Sequence, residues 1–216
     1  MNVQDVQVLD DATAVATAVA DLVRSALRDG VRSLVLAGGS TPQRAYRLLQ
    51  PGPEWGRVAV LFGDERCVPP DDPESNYAVA FEDLLRRVHP ASVHRMAGEL
   101  GAEEAARSYE EVVRRYMPLD LVLLGMGPDG HTASLFPGFP EVNAEALVTA
   151  VHGAPKPPPD RVSLTLPVLR SARRVVFVVT GPDKAEAVAK AVRGEVPAGM
   201  VPGAQYVLDR EAASAL

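Results

Sequence analysis

Two residues apart in the stretch GMGPDGHTASLFPG (125–138) stand Asp129 and His131. An imidazole exchanges a proton near neutral pH, and a carboxylate beside it can orient the ring or steady its charged form. Gly125, Gly127 and Gly130 allow a tight loop whose N–H groups can face an anion. The competing reading is a structural histidine. The glycine loop and the paired acid favour a base. His89, His94 and His152 lack comparable companions and read as structural or solvent-facing.

Three other segments carry chemistry of a related kind. AGGSTP (37–42) sets Gly38 and Gly39 before Ser40 and Thr41. Glycines admit close backbone approach, and helix-end N–H groups with hydroxyls suit a phosphate. The same residues also suit a plain turn with Thr41 as N-cap and Pro42 at the first helical position. The pattern is neither a P-loop nor a dinucleotide fingerprint. GDER (63–66) offers Arg66, whose guanidinium can hold a phosphate or carboxylate through two parallel bonds; Asp64 and Glu65 can instead pair with it locally. TGPDKA (180–185) places Lys184 in the first turn of a helix, where a cation opposes the dipole unless an anion binds there. Lys156 and Arg161 flank a proline-rich stretch and can add positive charge. Cys67 reads as a small buried residue because no base adjoins it.

The elements that would position these groups alternate with a βα rhythm. Helical spacing covers 12–30, 76–88, 103–116 and 183–194, with a further helix from Pro42 through 50. Short apolar runs at 31–39, 57–65, 119–125 and 173–181 read as strands, with others near 146–151, 161–166 and 205–208. Near-continuous apolar strands between helices indicate an α/β fold, a mainly parallel sheet covered on both faces. Residues 1–216 read as one domain, with 152–161 a stiff loop inside it. In such sheets ligands bind beyond the carboxyl ends of the strands. The four polar loops would then share one edge.

Composition narrows the partners. The 216 residues are 47% hydrophobic and 23% charged, with a formal net charge of −6. An acidic chain with a few clustered cations suits a small anionic substrate and not a nucleic acid. A single cysteine excludes an internal disulfide and a thiolate metal cluster. The stretch 1–11 lacks the basic start and apolar core of a signal peptide, and no apolar run reaches membrane-spanning length, so a cytoplasmic location is expected.

The segments LAGGSTP, GDERCVPPDDPESNY, LVLLGMGPDGHTASLFPG, RVSLTLPVL and TGPDKAEAV stand in the order and approximate spacing of one family. From about Leu34 to Gly194 the chain resembles the glucosamine-6-phosphate isomerase/6-phosphogluconolactonase family, on the lactonase side. The resemblance implies a Rossmann-like α/β fold and hydrolysis of 6-phosphoglucono-1,5-lactone to 6-phosphogluconate, without metal or cofactor. It implies His131 as base with Asp129 supporting it, and Gly39, Ser40 and Thr41 as phosphate loop. Arg66, Lys184 and Arg161 become anion contacts, and Asp64 and Gly130 join the substrate-binding set. A strained δ-lactone needs no covalent nucleophile, so neither Ser134 nor Cys67 receives that role. Oxyanion donors would be loop N–H groups near 127–130 or a nearby cation. The implied partner is the sugar-phosphate lactone, bound by a monomer or weak homo-oligomer. The deaminase relatives differ in having Asn-Glu-Pro after the histidine segment, where this chain has Phe136 and Pro137, and a tyrosine where it has Arg66. A non-catalytic sugar-phosphate sensor would keep the anion contacts without needing His131.

Overall fold

Asp11 starts the first helix by accepting hydrogen bonds from the N–H groups of Thr13 and Ala14, both at 2.8 Å. The computed structural model describes residues 5–216; residues 1–4, the start of the N-terminal stretch discussed above, lie outside the described residues. In chain order the regular elements begin with β1 (Asp5–Leu9), α1 (Ala12–Arg28), β2 (Ser33–Leu36), α2 (Ser40–Leu48), β3 (Ala59–Phe62) and β4 (Asp64–Arg66). Next come α3 (Asn76–Ala80), a π turn (Phe81–Leu85) and α4 (Arg86–Val88), one run in place of the uniform helix expected over 76–88. The chain continues through β5 (Ser92–Val93), α5 (Ala102–Tyr116), β6 (Leu121–Leu124), β7 (Val148–Val151) and β8 (Arg161–Leu164). It ends with α6 (Leu166–Ser171), β9 (Val175–Val179), α7 (Ala185–Val192) and β10 (Gln205–Asp209).

Among the described residues, seven strands form a parallel sheet in the order β1-β10-β9-β6-β2-β3-β5. The central strands are buried on both faces, and strand alternation sorts their side chains. Leu34, Leu36, Val60, Phe62, Leu121, Leu123, Val176 and Val178 join the core beneath α1, α2 and Trp55. Val35, Leu61, Val122, Leu124, Phe177 and Val179 join the opposite core with α5, α6 and α7. Each such fully buried side chain contributes about 1.5–3 kcal/mol. The expected mainly parallel α/β fold is therefore observed.

The expected strand over 57–65 divides in two. The Gly63 N–H donates to Leu36 O of β2 at 2.9 Å, while the Gly63 carbonyl accepts from Leu164 N of β8 at 2.8 Å. Gly63 thus hands the chain from the parallel sheet to a second, antiparallel sheet of order β4-β8-β7. The apolar pattern does not show this, because β4, β7 and β8 are short and their pairing is long-range.

From β2 the chain builds outward through β3 to β5; it then returns to the other side of β2 with β6 and builds outward through β9 to β10. The crevice between β2 and β6 is a topological switch point, where doubly wound sheets bind ligands.

Candidate active site

One cavity of about 370 Å³ opens at that switch point, within the range of small-molecule sites. Its walls include the residues after β2, β3, β6 and β9, so the four polar loops do meet at one edge. His131, Gly39, Ser40, Thr41, Asp64, Arg66, Arg161 and Lys184 all line it. Asp129 and Gly130 do not.

The His131 loop is held by its own backbone. Gly127 N donates to His131 O at 2.9 Å, Gly130 N to Gly127 O at 3.0 Å, and Thr132 Oγ1 to Gly125 O at 3.1 Å. Asp129 Oδ1 accepts from His131 N at 3.1 Å and lies 2.5 Å from Nδ1. The pair folds over Gly127, where an added Cβ would sit 2.0 Å from Nδ1. With Nδ1 engaged, Nε2 is the free nitrogen. The ring packs on Phe136, centroids 4.5 Å apart.

Gly130 has a structural explanation. Its φ is +83°, and a Cβ there would meet Val196 at 2.6 Å. The loop N–H groups expected as oxyanion donors are also largely spent, since Gly127, Gly130 and His131 all donate within the loop.

Burial holds the His131 imidazole below its ordinary pKa; the Asp129 charge and hydrogen bond and the charge of Asp64 push upward but do not overcome it. Asp129 alone would raise the imidazole pKa, but burial sets the direction. Burial works to raise the Asp129 carboxyl, but the His131 interactions outweigh it and hold it below the usual range.

The cavity also carries cations, Arg66, Arg161, Lys156 and Lys184. α2 begins at Ser40, with Gly39 at φ +99° as N-cap and no side chain capping its N–H groups. The Thr41-cap reading therefore fails: Thr41 Oγ1 lies 2.9 Å from Thr180 Oγ1 across the cavity edge. Pro42 is tolerated in the first turn because its missing N–H has no helical partner there. Arg66 and Arg161 stand directly opposite each other in the β4–β8 register. Like charges in that position repel unless an anion joins them. Neither Asp64 nor Glu65 pairs with the Arg66 side chain. Arg66 Nη1 donates to Glu74 O, and buried Nε has no partner among the described residues. Arg161 donates to Pro158 O at 3.1 Å and Lys156 O at 2.8 Å, with its guanidinium 5.8 Å from the Phe136 centroid. Lys184 ends a 3₁₀ turn (Pro182–Lys184) ahead of α7 and pairs with Asp183 at 2.9 Å.

Sequence reading missed a buried polar frame. Asp64 Oδ2 accepts from Ser134 Oγ at 2.7 Å, and Oδ1 accepts from Asn76 Nδ2 at 3.1 Å. Ser134 is fully buried and so no nucleophile. Glu65 accepts from the N–H groups of Arg66, Asn76 and Tyr77 and from Ser75 Oγ, at 2.7–3.0 Å. It fastens the 63–77 loop, although burial raises its pKa. The signal was the SNY tripeptide at 75–77, quoted for its resemblance but given no role. Burial raises the Cys67 thiol to about 11, consistent with an unreactive residue.

The family model described as "Glucosamine-6-phosphate isomerases/6-phosphogluconolactonase" matches residues 9–211. The chain belongs to that family. It is 38% identical to the 6-phosphogluconolactonase of Streptomyces coelicolor, the match covering 99% of this chain and 92% of the relative. It is 41% identical to that of Mycobacterium tuberculosis, covering 87% and 86%. Among solved structures, the Thermotoga maritima 6-phosphogluconolactonase superposes with a TM-score of 0.88 at 30% identity, covering 96% of this chain and all of that one. A monomeric glucosamine-6-phosphate deaminase superposes at 0.86 with 22% identity over 99% of this chain and 100% of that one, a likeness of fold alone. In the segment after His131, buried Phe136 sets its ring at 45° to the imidazole.

Proposed function

We propose that this chain hydrolyses 6-phospho-D-glucono-1,5-lactone to 6-phospho-D-gluconate. The observation that carries the reading is one cavity lined by a carboxylate-oriented histidine, by cations and by an uncapped helix start. The names of the relatives support the substrate.

His131 Nε2 takes a proton from water as the water oxygen bonds to the lactone carbonyl carbon. The carbonyl oxygen gains negative charge. With most of the loop N–H groups spent, Arg161 serves as its counter-charge, since it shares the Phe136 ring with His131. The carbon–ring-oxygen bond then breaks, and the imidazolium returns its proton to the leaving alkoxide. The phosphate, remote from the carbonyl, docks at Gly39–Thr41 with Arg66 and Lys184, and its binding energy holds the ring in place. Residues 1–216 act as one catalytic domain in this reading. No helix among the described residues is long and apolar enough to cross a membrane, and the proposed setting is the cytoplasm.

The test is acid release from fresh lactone beside ammonia release from glucosamine 6-phosphate, with spontaneous hydrolysis subtracted and repeated after exhaustive chelation. Lactone turnover that survives chelation, with no ammonia released, is expected. Ammonia release without lactone turnover would transfer the chain to the deaminase reaction.

A further inference from the structure

The proline-rich loop carries Lys156 and Pro157 to the cavity mouth and ends at Arg161. Its inner side is fastened by Arg161, which donates to Lys156 O and Pro158 O. Its outer side is fastened at His152. There Nδ1 lies 2.8 Å from Asp160 Oδ1, at the far end of the loop, and Nε2 lies 2.7 Å from Glu103 Oε1 on α5.

Carboxylates only accept hydrogen bonds, whereas a neutral imidazole has one N–H. Both contacts therefore require the imidazolium. We propose that His152 is a positioning residue: its protonated ring clamps the 152–161 loop to α5 and thereby sets Lys156 at the mouth of the cavity. The proposal rests on the functional reading above for its consequence but not for the clamp itself.

The groups around His152 agree. Asp160 comes from its own loop and Glu103 from α5, and both raise its pKa through hydrogen bonds and charge. Cys67, on the segment whose N–H donates to Asp160 O, is a thiol pushed up to about 11 and stays neutral. The clamp is complete below the ordinary histidine value of about 6.5. It loses one contact as pH rises through the raised value. Because His152 is exposed, the expected effect is small: a roughly two- to fivefold change in sugar-phosphate affinity, the range of exposed ion pairs.

Amide exchange at Gly153, Ala154, Lys156 and Asp160, the residues of 153–160 that carry an N–H, corrected for intrinsic rates, reads the clamp without ligand. Protection should be higher at pH 6 than at pH 8.5 in the wild type and low at both in His152→Gln. Glu103→Gln separates proton logic from mere loss of contact. Its amide can donate to a neutral Nε2 while Nδ1–H serves Asp160, so protection should persist at pH 8.5. Binding of 6-phosphogluconate should weaken about two- to fivefold in His152→Gln at pH 6, and not further when Lys156→Ala is already present. Equal loop protection in His152→Gln and wild type at pH 6, or Glu103→Gln loosening at high pH as the wild type does, overturns the clamp. The predicted exchange pattern in a wild type that fails to bind 6-phosphogluconate would support the clamp and overturn the functional reading instead.

Discussion

His131 and His152 each hold a carboxylate at hydrogen-bonding distance, yet their surroundings set them in opposite directions. The His131 side chain is 19% exposed and has one acid at Nδ1. The His152 side chain is 53% exposed and has an acid at each nitrogen. Burial lowers the first pKa despite its acid; hydrogen bonds to Asp160 and Glu103 raise the second. An acid next to a histidine therefore does not by itself say which form dominates. Desolvation decides at His131, giving a neutral ring with Nε2 ready to accept a proton. The count of acceptors decides at His152, giving a charged ring with nothing left to accept one.

The largest break in this contrast is His131→Asn. The amide keeps a polar group against Asp129 but cannot accept a proton in the working range. kcat should fall roughly 10²–10⁴-fold, the worth of general-base catalysis, while 6-phosphogluconate binding changes little. The check is background-corrected turnover with a titration of product. Near wild-type kcat in a folded variant would move the base to another group, Asp64 being a carboxylate that also lines the cavity.

Next in size are the cations that line the cavity with His131. Arg66→Ala and Lys184→Ala should each raise KM, since a charge-assisted hydrogen bond is worth about 1.5–3 kcal/mol, roughly ten- to a hundredfold. kcat should move less. The lactone without its phosphate should be a poor substrate for the wild type. Equal turnover of phosphorylated and dephosphorylated lactones would show that the cationic wall does not read the phosphate.

The legible part of this molecule was the part governed by local rules. The parallel strands announce themselves as four-residue apolar runs such as SLVL and LVLL, and their glycine-rich exits had to fall on one edge once the sheet was parallel. His131 with Asp129 was legible because the pair lies within one loop. The Ser134–Asp64–Asn76 frame was not, because its members stand 70 and 12 positions apart. Strand β4 hid inside the apolar reading of 57–65, since a change of sheet at Gly63 leaves no mark on hydrophobic period. Gly130 looked like a ligand glycine, but the residue that demands it, Val196, lies far along the chain. His152 was passed over for the same reason: Asp160 is within its loop, but Glu103 comes from α5, 49 positions away.

The smallest effect sharpens the comparison most. In Asp129→Asn the charge that works against burial is gone. The neutral imidazole is the active base, so activity is present above the His131 pKa and lost as pH falls through it. That midpoint already lies below the ordinary 6.5 in the wild type. Removing the Asp129 charge lowers it further, so the acid limb of the kcat profile should move to lower pH. The plateau should also fall, by about tenfold, within what orienting the base supplies, because an asparagine can present either its oxygen or its amide to Nδ1 and no longer fixes one tautomer. kcat from pH 4.5 to 8.5, with spontaneous hydrolysis subtracted at each point, reads both changes. An acid limb displaced upward would mean that Asp129 depresses the ring's proton affinity, which its negative charge cannot do from 2.5 Å; the titrating base would then not be His131.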